Sequence, residues 1–142
     1  MTTAEWLSGY RYYIKLFNML TKKKKELLHD NIKVTTNPEA VWSRAQGGNS
    51  VDERNAKYAD KAVQLQQQID ISEKNYKNIE IAIEAVSKPK YKYILKMKFI
   101  YGASWEKIAE DLELSEKWVR EQLYLRAIKD VERVIKEKGI EF

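Results

Sequence analysis

Ser104 and Ser115 each stand immediately before a run with helical apolar spacing, so each hydroxyl is placed to accept a hydrogen bond from an orphan amide in the first turn of a helix. The first run, Trp105 to about Leu112, turns Ile108, Ala109 and Leu112 inward. In the second, Val119, Leu123, Ala127, Val131 and Ile135 recur at intervals of four. Between the runs lies a turn of about three residues containing Glu113 and Leu114. A small alanine at 109 lets the two helices cross closely, where a large side chain would push them apart, and Leu114 is positioned to plug the space between them. Two capped helices separated by so short a turn match a helix-turn-helix arrangement. Its second member can present its opening turns to the groove of a duplex, with backbone amides and the positive helix end near phosphates. The chemistry this offers is recognition of nucleic acid.

Covalent chemistry finds little support. The 142 residues include no cysteine, which excludes disulfides, thiolate catalysis and cysteine-ligated zinc, and the solitary His29 cannot build an imidazole metal site unaided. Gly47-Gly48 lacks the Lys and Ser/Thr of a phosphate loop. The acidic residues form no spaced catalytic set, so we expect no enzyme and no cofactor. No stretch approaches the ~20 apolar residues of a membrane span, and the N-terminus lacks the order of a signal peptide, so we expect a cytoplasmic protein without membrane contact.

Helices must position the candidate reader. Only five glycines and two prolines occur, while apolar residues make up 44% and charged residues 33%, a balance that favours an all-α chain with one modest core. Trp6, Tyr10, Tyr13, Phe17, Leu20 and Leu27 follow steps of four and three, with Lys24 in the one polar slot, which predicts a helix over about 4–29. Thr2 followed by Glu5 resembles a capping box at its start. Residues 30–51 lose the period and gather turn formers, which predicts a long connection whose Trp42 packs down on the hairpin. From about Asp52 to Val86 the stripe returns at Tyr58, Ala62, Leu65, Ile69, Ser72, Tyr76, Ile79, Ile83 and Val86. One narrow stripe on so long a helix requires a coiled-coil partner, either the first helix folded back or a second copy of the chain, and we expect a hairpin within a homodimer. Ser87-Lys88-Pro89 ends this helix. Pro89 then opens a segment whose Tyr93, Ile94, Met97 and Ile100 form an apolar face before a stop at Gly102. The division expected is a helical hairpin or coiled coil for oligomerisation over 1–88 and a DNA-binding domain over 89–142.

The stretch YILKMKFIYGASWEKIAEDLELSEKWVREQLYLRAIKDV resembles region 4 of sigma-70-type factors: an apolar-basic helix, then G-x-S/T-x-x-x-I-A-x-x-L-x-L-S, then x-x-V-x and a late R-A. More narrowly it is similar to the sigma-like regulators of Gram-positive phages and prophages, the ArpU and RinA type of late-transcription activators. The resemblance covers residues 91 to 135. It implies that Ser104 to Leu112 is the supporting helix and that the reading helix begins at Ser115. Glu116, Lys117, Arg120, Glu121 and Tyr124, opposite Val119 and Leu123, would then face double-stranded DNA. Arg120 would contact guanine, because its fork can bond two acceptors at once. Ser115 and Lys117 would contact phosphate, with Arg126 and Lys129 on the flanking backbone. RNA polymerase is a further implied partner, and the implied function is positive regulation of phage or prophage genes in a bacterial host. Two positions depart from the pattern. The Arg126-Ala127 pair arrives one residue late, and Trp118 occupies a place often held by a polar residue, where we expect it, like Trp105, to pack within the module.

Charge sets the energetic terms. The whole chain carries +5; residues 89–142 hold 12 basic and 10 acidic side chains, residues 1–51 hold 8 and 4, and residues 52–88 hold 6 and 7. A module with a net of only +2 gains limited affinity from phosphate neutralisation, so a dimer or a polymerase contact would have to add to it. Two other functions are compatible with this organisation: an oligomeric DNA-packaging component similar to a terminase small subunit, and a helical protein-interaction module without DNA contact. The run Lys22 to Lys25 is able to track phosphate or an acidic partner surface, or reads more simply as a solvated helix end favoured by cations near a C-terminus.

Overall fold

A computed structural model describes the backbone of residues 1–36 and 48–142 and the side chains of residues 1–29 and 54–142. Among the described residues every regular element is a helix, so the chain is all-α as its composition predicts. The elements are α1 (Thr3–Ser8), α2 (Tyr10–Thr36), α3 (Gly48–Glu84), α4 (Pro89–Leu95) extended by a π-helical turn (Lys96–Ile100), α5 (Trp105–Leu112), α6 (Glu116–Trp118), a second π-helical turn (Val119–Leu123) and α7 (Tyr124–Lys138). The expected packing of Trp42 lies outside the described residues.

The boundaries differ from the periodicity in instructive ways. The capping box is present: Thr2 Oγ1 accepts from the Glu5 amide at 3.2 Å, and Glu5 Oε2 from the Thr2 amide at 3.3 Å. The first helix is interrupted at Gly9, whose amide closes back on Trp6 O at 3.1 Å. Helix α2 continues to Thr36 rather than stopping near residue 29, because the loss of an apolar stripe removes packing without supplying a Gly or Pro that breaks the ladder. Lys22 to Lys25 therefore sit within α2, not at its end, where the dipole argument does not apply. Helix α3 begins earlier than predicted, at Gly48, and stops at Glu84, two residues early, with Val86 N closing on Ile83 O before Pro89 takes the first position of α4.

Two compact units divide the chain. The first comprises Met1–Ile14 with Lys74–Phe142. Its larger core joins Trp6, Leu7 and Tyr10 to Ile79, Ala82, Ile83 and Val86, to Leu95 and Phe99, and to Ala127, Val131 and Ile135. Residues that the periodicity assigns to the hairpin thus share one core with the C-terminal helices. Trp6 is 1% exposed and stacks on Phe142 at 4.7 Å. Tyr10 donates its phenol hydrogen to Glu80, and burial first, then that carboxylate, raises its pKa far above the ordinary range. A second, smaller cluster holds Ile94, Ile108, Ala109, Val119 and Leu123, with Leu112 and Leu114 packed against it.

The second unit is Lys15–Glu73. Here α2 and α3 run antiparallel: Phe17 and Thr21 line one groove with Ile69 and Glu73, while Leu27 lines another with Lys61 and Leu65. The partner for the long stripe is therefore supplied within the chain. Leu20 and Ile69 are buried in it. The polar slot is filled chemically, Lys24 donating to Gln66, which donates in turn to Asp70 at 2.7 Å. Ser72, buried in the apolar stripe, satisfies its hydroxyl on Gln68 O at 2.9 Å, which is why a serine is tolerated there.

Candidate nucleic-acid interface

Helix α5 is capped as its serine predicts, Ser104 Oγ accepting from the Lys107 amide at 3.2 Å. It is pinned to α4 on the solvent side by a short polar chain. Tyr93 donates to Asp111 Oδ2 at 2.6 Å, and Lys107 Nζ pairs with Asp111 Oδ1 at 3.0 Å. The Tyr93 phenol, then the Lys107 ammonium, hold the Asp111 carboxyl below its ordinary value. Ala109 is buried beside Val119 and Leu123, as close crossing requires.

The turn that follows has one strained residue. Glu113 lies in the left-handed region at φ 56° and ψ 39°, while its amide reaches Glu110 O and the Leu114 amide reaches Ala109 O at 3.0 Å. This is the closing pattern in which glycine is the preferred residue. An L side chain there costs about 1–2 kcal/mol, and the Glu113 side chain is exposed. Glu113→Gly is expected to stabilise the protein by about 0.5–1 kcal/mol after the added unfolded-state freedom of glycine is subtracted. A thermal melt followed by circular dichroism should show a rise of roughly 1–4 °C; a lower melting temperature would mean that the turn relaxes differently.

Ser115 Oγ then accepts from the Trp118 amide at 3.1 Å and opens α6. The helix does not proceed as a uniform α-helix. Over Val119–Leu123 the ladder widens, the Tyr124 amide reaching back to Val119 O. A turn closed from i to i+5 holds one residue more than an α turn, so everything after it is rotated back by about one α step, roughly 100°. This explains how residues spaced strictly by four, Val119, Leu123, Ala127 and Val131, all reach the core, since a period of four would otherwise drift around a 3.6-residue helix.

The same widening corrects one predicted position, and a second is corrected just before it. Tyr124, expected outward on a regular α-helix, is swung inward. It is half-buried between both clusters, edge-on to Trp105 at 4.8 Å, and its phenol pKa is raised by burial. It is a packing residue and not part of the exposed face. Trp118, expected to pack inside, is 43% exposed. The extra residue aligns it with Arg126, whose guanidinium carbon lies 5.5 Å from the indole centroid.

Ser104, Ser115, Glu116, Lys117, Arg120, Glu121, Arg126 and Lys129 are all exposed. The outer side of the opening turns is thus a mixed surface of Glu116, Lys117, Arg120 and Glu121, with Trp118 beside it. Arg120 pairs with Glu116 at 3.4 Å, both about half exposed. Such a surface pair is worth about 0–1 kcal/mol and yields readily to a better acceptor. Trp105, by contrast, packs as expected, with Lys98 Nζ 4.5 Å from its ring centroid. Trp118 precedes the π turn and stands one helical step, about 100°, from buried Val119, so its exposure follows from its place beside the apolar stripe and not from the widening.

No three His, Cys, Asp or Glu side chains gather into a metal-binding group among the described residues, and no helix there is long and apolar enough to cross a membrane. No family model, curated protein or solved structure matches the chain.

Proposed function

We propose that this protein is a sequence-specific DNA-binding regulator of transcription, an activator of phage or prophage genes acting in the bacterial cytoplasm. The observation that carries the reading is the exposed polar side of a helix that opens on a serine cap directly after a three-residue turn, with Lys117 and Arg120 on it. Residues 115–129 hold four cations and two carboxylates, so this side is mildly attractive to phosphate. The π turn adds support. The resemblance to sigma region 4 is offset by a late Arg126-Ala127 pair, and one extra residue taken up in Val119–Leu123 returns both to the angular places of a helix one residue shorter. Weak charge excess makes a homodimer or a contact with RNA polymerase part of the proposal.

The test is recovery of genomic DNA fragments by the purified chain at physiological salt, followed by footprinting. Enrichment of one palindromic or promoter-like element is the expected result. A packaging start among the recovered sites would transfer the same module to DNA packaging, and no enrichment of any sequence would overturn the reading. The exposure of Trp118 and of Leu125, 54% exposed, favours one second reading, docking of a protein partner on this helix. Leu125→Ser would then abolish partner capture and leave DNA affinity unchanged.

A further inference from the structure

A cleft of about 350 Å³ opens between the Ser87–Tyr91 segment and α7, within the first unit. Its walls carry Lys88, Arg126, Lys129 and Arg133. We propose that this cleft is a phosphate-binding site, and that its expected ligand is a backbone phosphodiester of the duplex read by the opening turns of the helix. The inference about the duplex rests on the proposed function; the phosphate chemistry does not.

Three of the four cations are steered by neighbours. Lys88 Nζ lies 5.2 Å from the centroid of the Tyr91 ring, Arg126 is held over Trp118, and Arg133 is fixed by Asp130 and Glu137. The fourth, Lys129, is exposed and makes no ion pair among the described residues. The carboxylates nearby do not cancel the site. Asp130 Oδ1 accepts from both Nε and NH2 of Arg133, at 3.0 and 2.8 Å, while its Oδ2 is buried away from solvent without a partner. Glu137 is taken by the remaining arm of Arg133 at 2.8 and 2.9 Å. Four cations against two carboxylates leave two charges in excess, and the restraint already placed on Lys88, Arg126 and Arg133 lowers the entropic cost of gripping an anion.

Spacing connects the cleft to the reading side. From Arg120 to Lys129 the helix advances about 13 Å at 1.5 Å per residue. The major groove is about 12 Å wide. A helix with Arg120 over base edges therefore brings Lys129 and the cleft to the phosphate strand bordering that groove. The resemblance implied Arg126 and Lys129 as flanking contacts. Lys88 and Arg133 join them only because α4 folds back against α7.

The experiment uses the full chain and the variant K88Q/K129Q, whose changes are on exposed side chains and leave both cores intact. In one arm, fluorescence anisotropy measures binding to a labelled duplex recovered from genomic DNA, over a range of salt. The variant is expected to bind about tenfold more weakly at physiological salt, with the slope of log K against log[salt] reduced by about 1 to 2 and the ranking among sequences unchanged. In the other arm, inorganic phosphate is titrated and backbone amide resonances of residues 87–91 and 126–133 are followed. Saturable shifts lost in K88Q/K129Q but kept in R120Q are expected. If phosphate binds there but the chain binds no duplex, the cleft stands and the regulatory reading falls. If the variant matches the parent protein in both arms, the cleft is not a phosphate site.

Discussion

Trp6→Ala is expected to destabilise the protein by about 3–5 kcal/mol, the usual cost of deleting a fully buried indole. Trp6 is 1% exposed, stacks on Phe142 at 4.7 Å and shares a core with Ile83, Leu95, Phe99 and Val131. This core is built from side chains on α1, α3, α4 and α7, which cannot all collapse into the space the indole leaves. At roughly 2–4 °C per kcal/mol for a chain of this size, the melting temperature should fall by about 6–20 °C. Circular dichroism on heating checks this. An unchanged melt would mean that the N-terminal helix is not part of the core. Because the Trp6 side chain is buried in the core and forms no part of the outer side of the proposed reading helix, DNA affinity measured well below the melt should stay within about twofold of the parent value.

Arg120→Ala combined with Lys117→Ala is the largest expected loss of function. A bidentate arginine contact to guanine is worth about 1–3 kcal/mol of discrimination, so Arg120→Ala alone should weaken binding to the preferred duplex by roughly fivefold to 150-fold and relax preference at one base pair. Lys117→Ala should weaken all sequences uniformly and reduce the salt slope by about 1. Stability should be nearly unaffected, since the Arg120–Glu116 pair at 3.4 Å is half exposed and Glu116 stays solvated without it. Anisotropy titrations of parent, single and double variants separate these effects. Equal affinity for all of them would remove this helix from the interface.

These two outcomes probe different parts of one arrangement. The core that Trp6 closes holds Ala127 and Val131 on the inward side of the same helix whose outward side carries Lys117 and Arg120. A fragment beginning at Pro89 would leave Leu95, Phe99, Ala127, Val131 and Ile135 without their partners from α1 and α3. The sequence division at residue 88 therefore cuts through a core. It looked natural because a proline break is local and visible, whereas the packing of residues far apart in the chain is not.

Much of the local structure was legible from residue types. Serine and threonine hydroxyls at 2, 104 and 115 cap the helices they precede, because the satisfied amides lie within three residues of each cap. Ala109, Val119 and Leu123 come together as their spacing predicts. The outward placement of Lys117 and Arg120 follows from the same register, since both precede the closure of the π turn. The antiparallel pairing of α2 and α3 in the second unit was one of two arrangements that the stripe allowed. Periodicity records which face of a helix is apolar and nothing about which surface covers it.

What the chain by itself determined is the all-helical class, the serine and threonine caps, the short turn after Leu112 and the inward face of the two helices it joins as far as Leu123, all consequences of interactions between residues a few positions apart. Tertiary structure alone decided that Trp6 closes the C-terminal core, that Tyr124 turns in while Trp118 stays out, and that Lys88 meets Arg133 across a cleft. The reason is physical: a side chain's neighbours across a core, and a one-residue widening that brings a run spaced by four into that core, depend on how distant segments fill common space, and no local spacing rule encodes that volume.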